Sequence, residues 1–192
     1  MGFAHLLVVG AKRSTGCMNV LVVWESKHAS TAEIGFAIGQ TLREHGLHVI
    51  LSDAASAPDD VEFDAYVIGS AVYAGHWMKR IKQYVHDNRL LLLSHPVWLF
   101  SSGPIGDPPM PAEPPVDIAE VFECTAAREH KIFAGRLDRA KLSFVERAIA
   151  AALRAPQGDF RNWDAILGWA DDIAEALKEK TRSRYRKNAL VS

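Results

Sequence analysis

Three short stretches of this chain carry residue types that can hold a polar ligand. Glu25-Ser-Lys-His-Ala-Ser-Thr31 combines hydroxyls with a lysine and a histidine, and runs into a sequence that reads as a helix start. A helix amino terminus presents unpaired backbone N–H groups and the positive end of its dipole, so an anion is favoured there. Ser26, Ser30 and Thr31 add hydroxyl donors and Lys27 adds charge, a set that suits a phosphomonoester. The plainer alternative is that Ser30 only caps the helix and the rest is solvated loop. Ser70-Ala-Val-Tyr-Ala-Gly-His76 places Tyr73 beside Gly75, with Trp77 just after. An aromatic ring next to compliant backbone suits a planar heteroaromatic ligand. Trp77 itself reads as helix-face core, and His76 as a helix-start residue. Ser101-Ser-Gly-Pro-Ile-Gly106 has glycines that let backbone approach a ligand, although alone it also reads as a tight turn after a strand.

Familiar nucleotide motifs are absent. Gly10-Ala-Lys-Arg-Ser-Thr-Gly16 lacks the Gly-Lys-Ser/Thr ending of a phosphate loop, and no Gly-x-Gly-x-x-Gly follows a strand. The eight histidines are scattered, and no Cys/His cluster has zinc-ligand spacing.

The elements that must position the three loops alternate between strand and helix. Val20–Trp24, Leu47–Leu51, Ala65–Gly69, Pro96–Phe100 and Lys131–Ala134 are short apolar runs, continuous rather than alternating, as in strands buried on both faces. Between them lie helical patterns. Ser30 and Glu33 have capping-box spacing, Ile34, Ile38 and Leu42 share a face, and Gly46 stands where a terminating glycine is expected. Trp77, Ile81, Tyr84 and Val85 form a second face, and Val116–Ala127 reads as a short helix. Val145, Ile149 and Ala152 define a helix over 141–153. Ile166, Ala170, Ile173 and Leu177 align on a terminal helix, Asn162–Leu177. Asp107–Pro115 contains five prolines and reads as irregular surface loop. This order predicts an α/β fold: a parallel sheet with helices on both faces, whose ligands lie at the carboxyl ends of the strands. All three polar stretches follow strands.

The whole chain sets outer bounds. Its 192 residues suit one domain with some length to spare, and 48% hydrophobic against 23% charged residues is ordinary globular composition. A net charge of −1 gives no bias toward nucleic acid or anionic membrane. No stretch is long and apolar enough to span a bilayer, and Phe3–Val9 is too short for a signal peptide. Cys17 and Cys124 read as two reduced thiols, and the location reads as cytoplasmic. Residues 1–18 read as an N-terminal extension, 19–178 as the domain and 179–192 as a basic, solvated C-terminal tail. Lys178, Lys180, Arg182, Arg184, Arg186 and Lys187 would at most give weak contact with an anionic membrane surface.

Val-Leu-Val-Val-Trp-Glu-Ser-Lys-His-Ala-Ser-Thr-Ala-Glu-Ile (20–34) resembles the first strand and phosphate loop of flavodoxins. Val-Ile-Gly-Ser-Ala-Val-Tyr-Ala-Gly-His-Trp (67–77) resembles the second loop of the menaquinone-dependent protoporphyrinogen oxidase branch of that family. Lys-Ile-Phe-Ala-Gly-Arg-Leu (131–137) and a late helix with Trp163 and Trp169 continue the likeness, which covers residues 19–178. It implies a flavodoxin-like three-layer sandwich with a five-stranded parallel sheet in the order 2-1-3-4-5, binding FMN without a covalent bond. It assigns Ser26, Lys27, His28, Ala29, Ser30 and Thr31 to the phosphate. It assigns Ala71, Val72, Tyr73, Ala74, Gly75 and His76, with Ser101, Ser102 and Gly103, to the ring. Ala29 stands where the family's phosphate loops usually have glycine. The proline-rich loop replaces the basic insertion of the oxidase branch.

The expected function is an FMN-dependent oxidoreductase passing electrons between a small substrate and a quinone-type acceptor, with no protein acid or base required. A flavodoxin-type carrier serving a redox protein is the alternative, ranked lower because such carriers are strongly acidic. A flavin-free interaction domain is the third reading, and the sequence does not separate FMN from a deazaflavin.

Overall fold

In a computed structural model of the chain, residues 17–58, 61–103, 105, 113–152 and 155–189 are described. Most of the expected extension, Gly106 and residues 107–112 of the proline-rich loop lie outside that set.

The apolar runs form a parallel sheet. Strands β1 (Asn19–Glu25), β2 (His48–Asp53) and β3 (Ala65–Tyr73) come first, and a two-residue strand β4 (His76–Trp77) follows β3. Strands β5 (Val97–Ser102) and β6 (Glu129–Phe133) complete the main sheet. The order is β2-β1-β3-β5-β6, with β4 paired back on β3. The five main strands pair in parallel throughout, so the arrangement is the expected five-stranded 2-1-3-4-5.

Helices cover both faces. On one, α1 (Ser30–Glu44) and the terminal helix α6 (Trp163–Ala189) bury Ile34, Ile38, Leu42, Ile166, Trp169, Ala170, Ile173 and Leu177 against Val20, Val22, Val67 and Phe100. On the other, α2 (Lys79–Asp87), α3 (Arg89–Leu93) and α4 (Ile118–Thr125) bury Ile81, Tyr84, Val85, Leu92 and Val121 against Leu21, Val23, Ile68 and Leu99. Odd and even residues of β1 thus enter opposite cores, which is why its sequence is apolar without a break. Gly46 ends α1 at φ +82°, a conformation glycine adopts without strain.

The structure departs from the sequence reading in five places. Strand β3 runs on to Tyr73, so Ser70–Tyr73 is strand rather than loop. Ala74 and Gly75, at φ +50° and +79°, make a two-residue hairpin turn that pairs Tyr73 with His76. Trp77 therefore packs from β4 rather than from the helix. The capping box is not formed. Ala29 is the N-cap residue of α1, with no side-chain cap, and the Glu33 carboxylate is drawn away by Arg136 and Arg161. Helix α5 (Phe144–Ala152) leaves Val145 and Ala152 exposed, so its expected apolar face is not its buried one. Finally, α6 runs to Ala189, beyond the end at Leu177 that its apolar spacing predicts.

Candidate functional site

The carboxyl ends of β1, β3, β5 and β6 meet around one cleft enclosing about 660 Å³ of space open to solvent.

Its first wall is the loop after β1. Ser26, Lys27, His28, Ser30 and Thr31 line it, and Thr31 is buried. The turn is made by Ala29 at φ +68°, which aligns the following residues into α1. The Ser26 hydroxyl is buried and has no hydrogen-bond partner among the described residues. Buried polar groups are almost always paired, and an orphan beside a cleft calls for an acceptor supplied by a ligand. Glu25 turns the other way and accepts a hydrogen bond from Ile81 N–H at 2.9 Å, at the start of α2.

Ala71, Val72 and Tyr73 form the second wall from the end of β3. Tyr73 is 40% exposed. Burial of its phenol, with the negative charge of Glu146 nearby, pushes its pKa up to about 12. Ser102, Gly103 and Ile105 form the third wall. A Cβ at Gly103 would stand 3.1 Å from both Cβ and the carbonyl oxygen of Val72, so a larger residue there would push β3 and the loop after β5 apart by a few tenths of an ångström.

A fourth wall was not named from the sequence: Gly135, Arg136, Leu137, Asp138, Lys141 and Leu142. It follows β6, and the rule that ligands lie at the carboxyl ends of parallel strands could have flagged it. Strand β7 (Arg136–Leu137) pairs antiparallel with β8 (Gly158–Asp159), and ion pairs tie this two-stranded ribbon to α1. Arg136 grips Glu33 through both terminal nitrogens at 3.1 and 2.8 Å, while its backbone N–H donates to Ser30 Oγ at 3.2 Å. Arg161, almost fully buried, reaches Glu33 and Asp159. Burial pushes the Glu33 carboxyl up, but the two guanidinium groups more than offset this and hold it below the usual range.

Five residues named from the sequence stand outside the cleft lining. Ala29, Ala74 and Gly75 shape turns. His76 sits beside Asp117, whose carboxylate also accepts from Trp77 N–H and Lys82. Ser101 is fully buried. Its hydroxyl accepts from Trp77 Nε1 at 2.7 Å and lies 2.8 Å from His130 Nε2. This chain of contacts ties the β3–β4 hairpin to β5 and β6. Alternation along β5 explains the split, because Ser102 faces the cleft when Ser101 does not.

The strand order reverses between β1 and β3, and the cleft lies at that reversal. Fold and site together define a doubly wound α/β protein of the kind that binds its ligand at such a switch point. A family model described as flavodoxin domain matches residues 21–163, and the chain belongs to that family. Membership implies FMN as the cofactor and electron transfer as the chemistry. Among solved structures, a flavodoxin from the domain Archaea matches at 16% identity and TM-score 0.57, covering 84% of this chain and 99% of its own. The rubredoxin:oxygen oxidoreductase of the anaerobe Desulfovibrio gigas matches at 15% identity and TM-score 0.60, covering 85% of this chain and 37% of its own. A Streptococcus pneumoniae TIGR4 flavodoxin matches at 17% identity and TM-score 0.55, covering 84% of this chain and 99% of its own. At these identities the likeness is one of fold. No curated protein sequence matches significantly.

The residues present fit FMN. The orphan hydroxyl of Ser26 beside the α1 amino terminus suits a phosphate, and the Gly103 approach to Val72 makes a narrow cradle beside Tyr73.

Proposed function

We propose that this chain is an FMN-dependent oxidoreductase domain that passes electrons between a small substrate and a quinone-type acceptor. The observation that carries the reading is the four-walled cleft with the unpaired Ser26 hydroxyl in one wall and the half-exposed Tyr73 ring in another.

FMN, when bound, supplies redox chemistry that amino-acid side chains do not. The protein binds, orients and shields it. Ser26 and Thr31, with the backbone N–H groups opening α1, hold the phosphate. Ala71, Val72 and Tyr73 border one side of the ring, and Ser102 and Gly103 the other. The segment 135–142 closes the cleft against water, held in place by the Arg136–Glu33 pair. The Tyr73 hydroxyl stays protonated across the physiological range, so it can donate a hydrogen bond but does not serve as a base.

Net charge favours an enzyme over a carrier. A chain at −1 lacks the strong negative field that steers an acidic carrier to a basic partner. The likeness of residues 67–77 to the protoporphyrinogen oxidase branch supports a porphyrinogen-like electron donor.

The test begins with the absorption spectrum of the purified protein and mass identification of the released chromophore. Steady turnover with reduced pyridine nucleotide, or a porphyrinogen, and a quinone supports the enzyme. A yellow protein that exchanges electrons only with another protein is a carrier. A colourless protein that takes up no FMN refutes the proposal.

A further inference from the structure

The loop after β1 holds a lysine and a histidine, and neither side chain is free. Lys27 Nζ lies 2.6 Å from Glu146 Oε1, and His28 Nε2 lies 3.0 Å from the same oxygen. Glu146 comes from α5, more than a hundred residues along the chain. Its other oxygen accepts the Ser143 N–H at 2.8 Å, and its own N–H donates to Ser143 Oγ. This reciprocal pair caps α5 and fixes the direction of the Glu146 side chain. Lys27 lies 5.5 Å from the Tyr73 ring centroid, and the His28 ring meets that ring edge-on at 6.4 Å. Glu146, Lys27, His28 and Tyr73 thus form a strap from α5 across the loop to the end of β3.

We infer that Glu146 is a specificity-determining residue of the flavin cleft: an internal carboxylate that occupies Lys27 and His28 and so weakens selection for a phosphorylated flavin. This rests on the FMN reading of the cleft. A phosphate dianion in that loop meets a lysine already paired and a carboxylate of its own sign beside it. Its binding therefore falls to uncharged donors, the Ser26 and Thr31 hydroxyls and the backbone N–H groups opening α1. With Lys27 the largest contributor, followed by Ser143 and His28, these contacts hold the Glu146 carboxyl far below the usual carboxylate range, so the charge persists at any working pH.

E146Q removes the charge and keeps a hydrogen-bonding side chain. The measurement is the dissociation constant of the apoprotein for FMN and, separately, for riboflavin, which has the same ring and no phosphate, by flavin fluorescence quenching. Relieving repulsion between a carboxylate and a dianion several ångströms apart at a wet surface is expected to tighten FMN on the order of tenfold. Riboflavin affinity is expected to hold, and added salt to erode the FMN gain. E146A repeats the gain, and adding K27M to E146Q abolishes it. Parallel changes for both flavins, or weaker FMN binding in E146Q and E146A, overturn the proposal and make Glu146 a strut that shapes the cleft. If neither flavin binds wild type or variants, the cofactor reading fails and takes this inference with it.

Discussion

Replacing Ser26 by alanine is expected to move two quantities in opposite directions. Its hydroxyl is buried without a partner among the described residues. A buried polar group left unpaired costs about 1–3 kcal/mol, so removing this one stabilises the apoprotein by about 1 kcal/mol. For a chain of this size that raises the apoprotein melting temperature by about 2–4 °C. Binding of FMN changes the other way. A hydrogen bond to a charged acceptor contributes about 1.5–3 kcal/mol, so S26A weakens FMN roughly ten- to a hundredfold. Riboflavin, without a phosphate, is expected to bind the variant and wild type alike. The assay is a pair of thermal melts without ligand and a pair of flavin titrations. A lower apoprotein melting temperature would show that the hydroxyl already has a native partner. An unchanged FMN constant would remove the phosphate from this loop.

Gly103→Ala places a Cβ 3.1 Å from Val72 backbone and side chain; overpacking of this kind costs about 1–3 kcal/mol, read by denaturant melts, and loosens the flavin cradle, read as a weaker FMN constant. Ala29→Gly relieves a left-handed alanine at φ +68°; the strain is about 1–2 kcal/mol and the entropy lost on ordering glycine offsets about half, so a net gain of about 0.5–1 kcal/mol is expected in chemical unfolding. Burial holds His130 neutral, with its pKa lowered to about 4. The unfolded chain binds a proton below about pH 6.5 and the folded chain does not, so stability is lost as pH falls from 6.5 toward 4 and levels off below. The full effect is about 3 kcal/mol, and about half that after solvent screening at a partly exposed ring; His130→Gln is expected to flatten the decline in pH-dependent melts, and an unchanged slope would place the acid sensitivity elsewhere.

Much of the fold was legible because burial on both faces leaves an unbroken apolar run. Val20–Val23 feed two cores, so no polar residue interrupts them, and Ile166, Ala170, Ile173 and Leu177 mark a face with helical spacing. The loops after the first, third and fourth main strands were placed by the rule for parallel sheets, and glycine at 46 announced a helix end because few residues accept that conformation.

What the local pattern did not contain was set by partners far along the chain. Glu33 has the spacing of a cap, yet Arg136 and Arg161, more than a hundred residues later, offer it charge, and a salt-bridged carboxylate does not return to the backbone. Ser101 and Ser102 are equivalent as letters, and only the pleat of β5 in its sheet sends one to Trp77 and His130 and the other to the cleft. Lys27 reads as a free positive charge until α5 folds back and sets Glu146 against it. Residue types and spacing determine which elements form, because those forces act within a few residues. Which polar groups meet is decided only when the sheet closes, because their energies depend on charges and burial that distant segments bring.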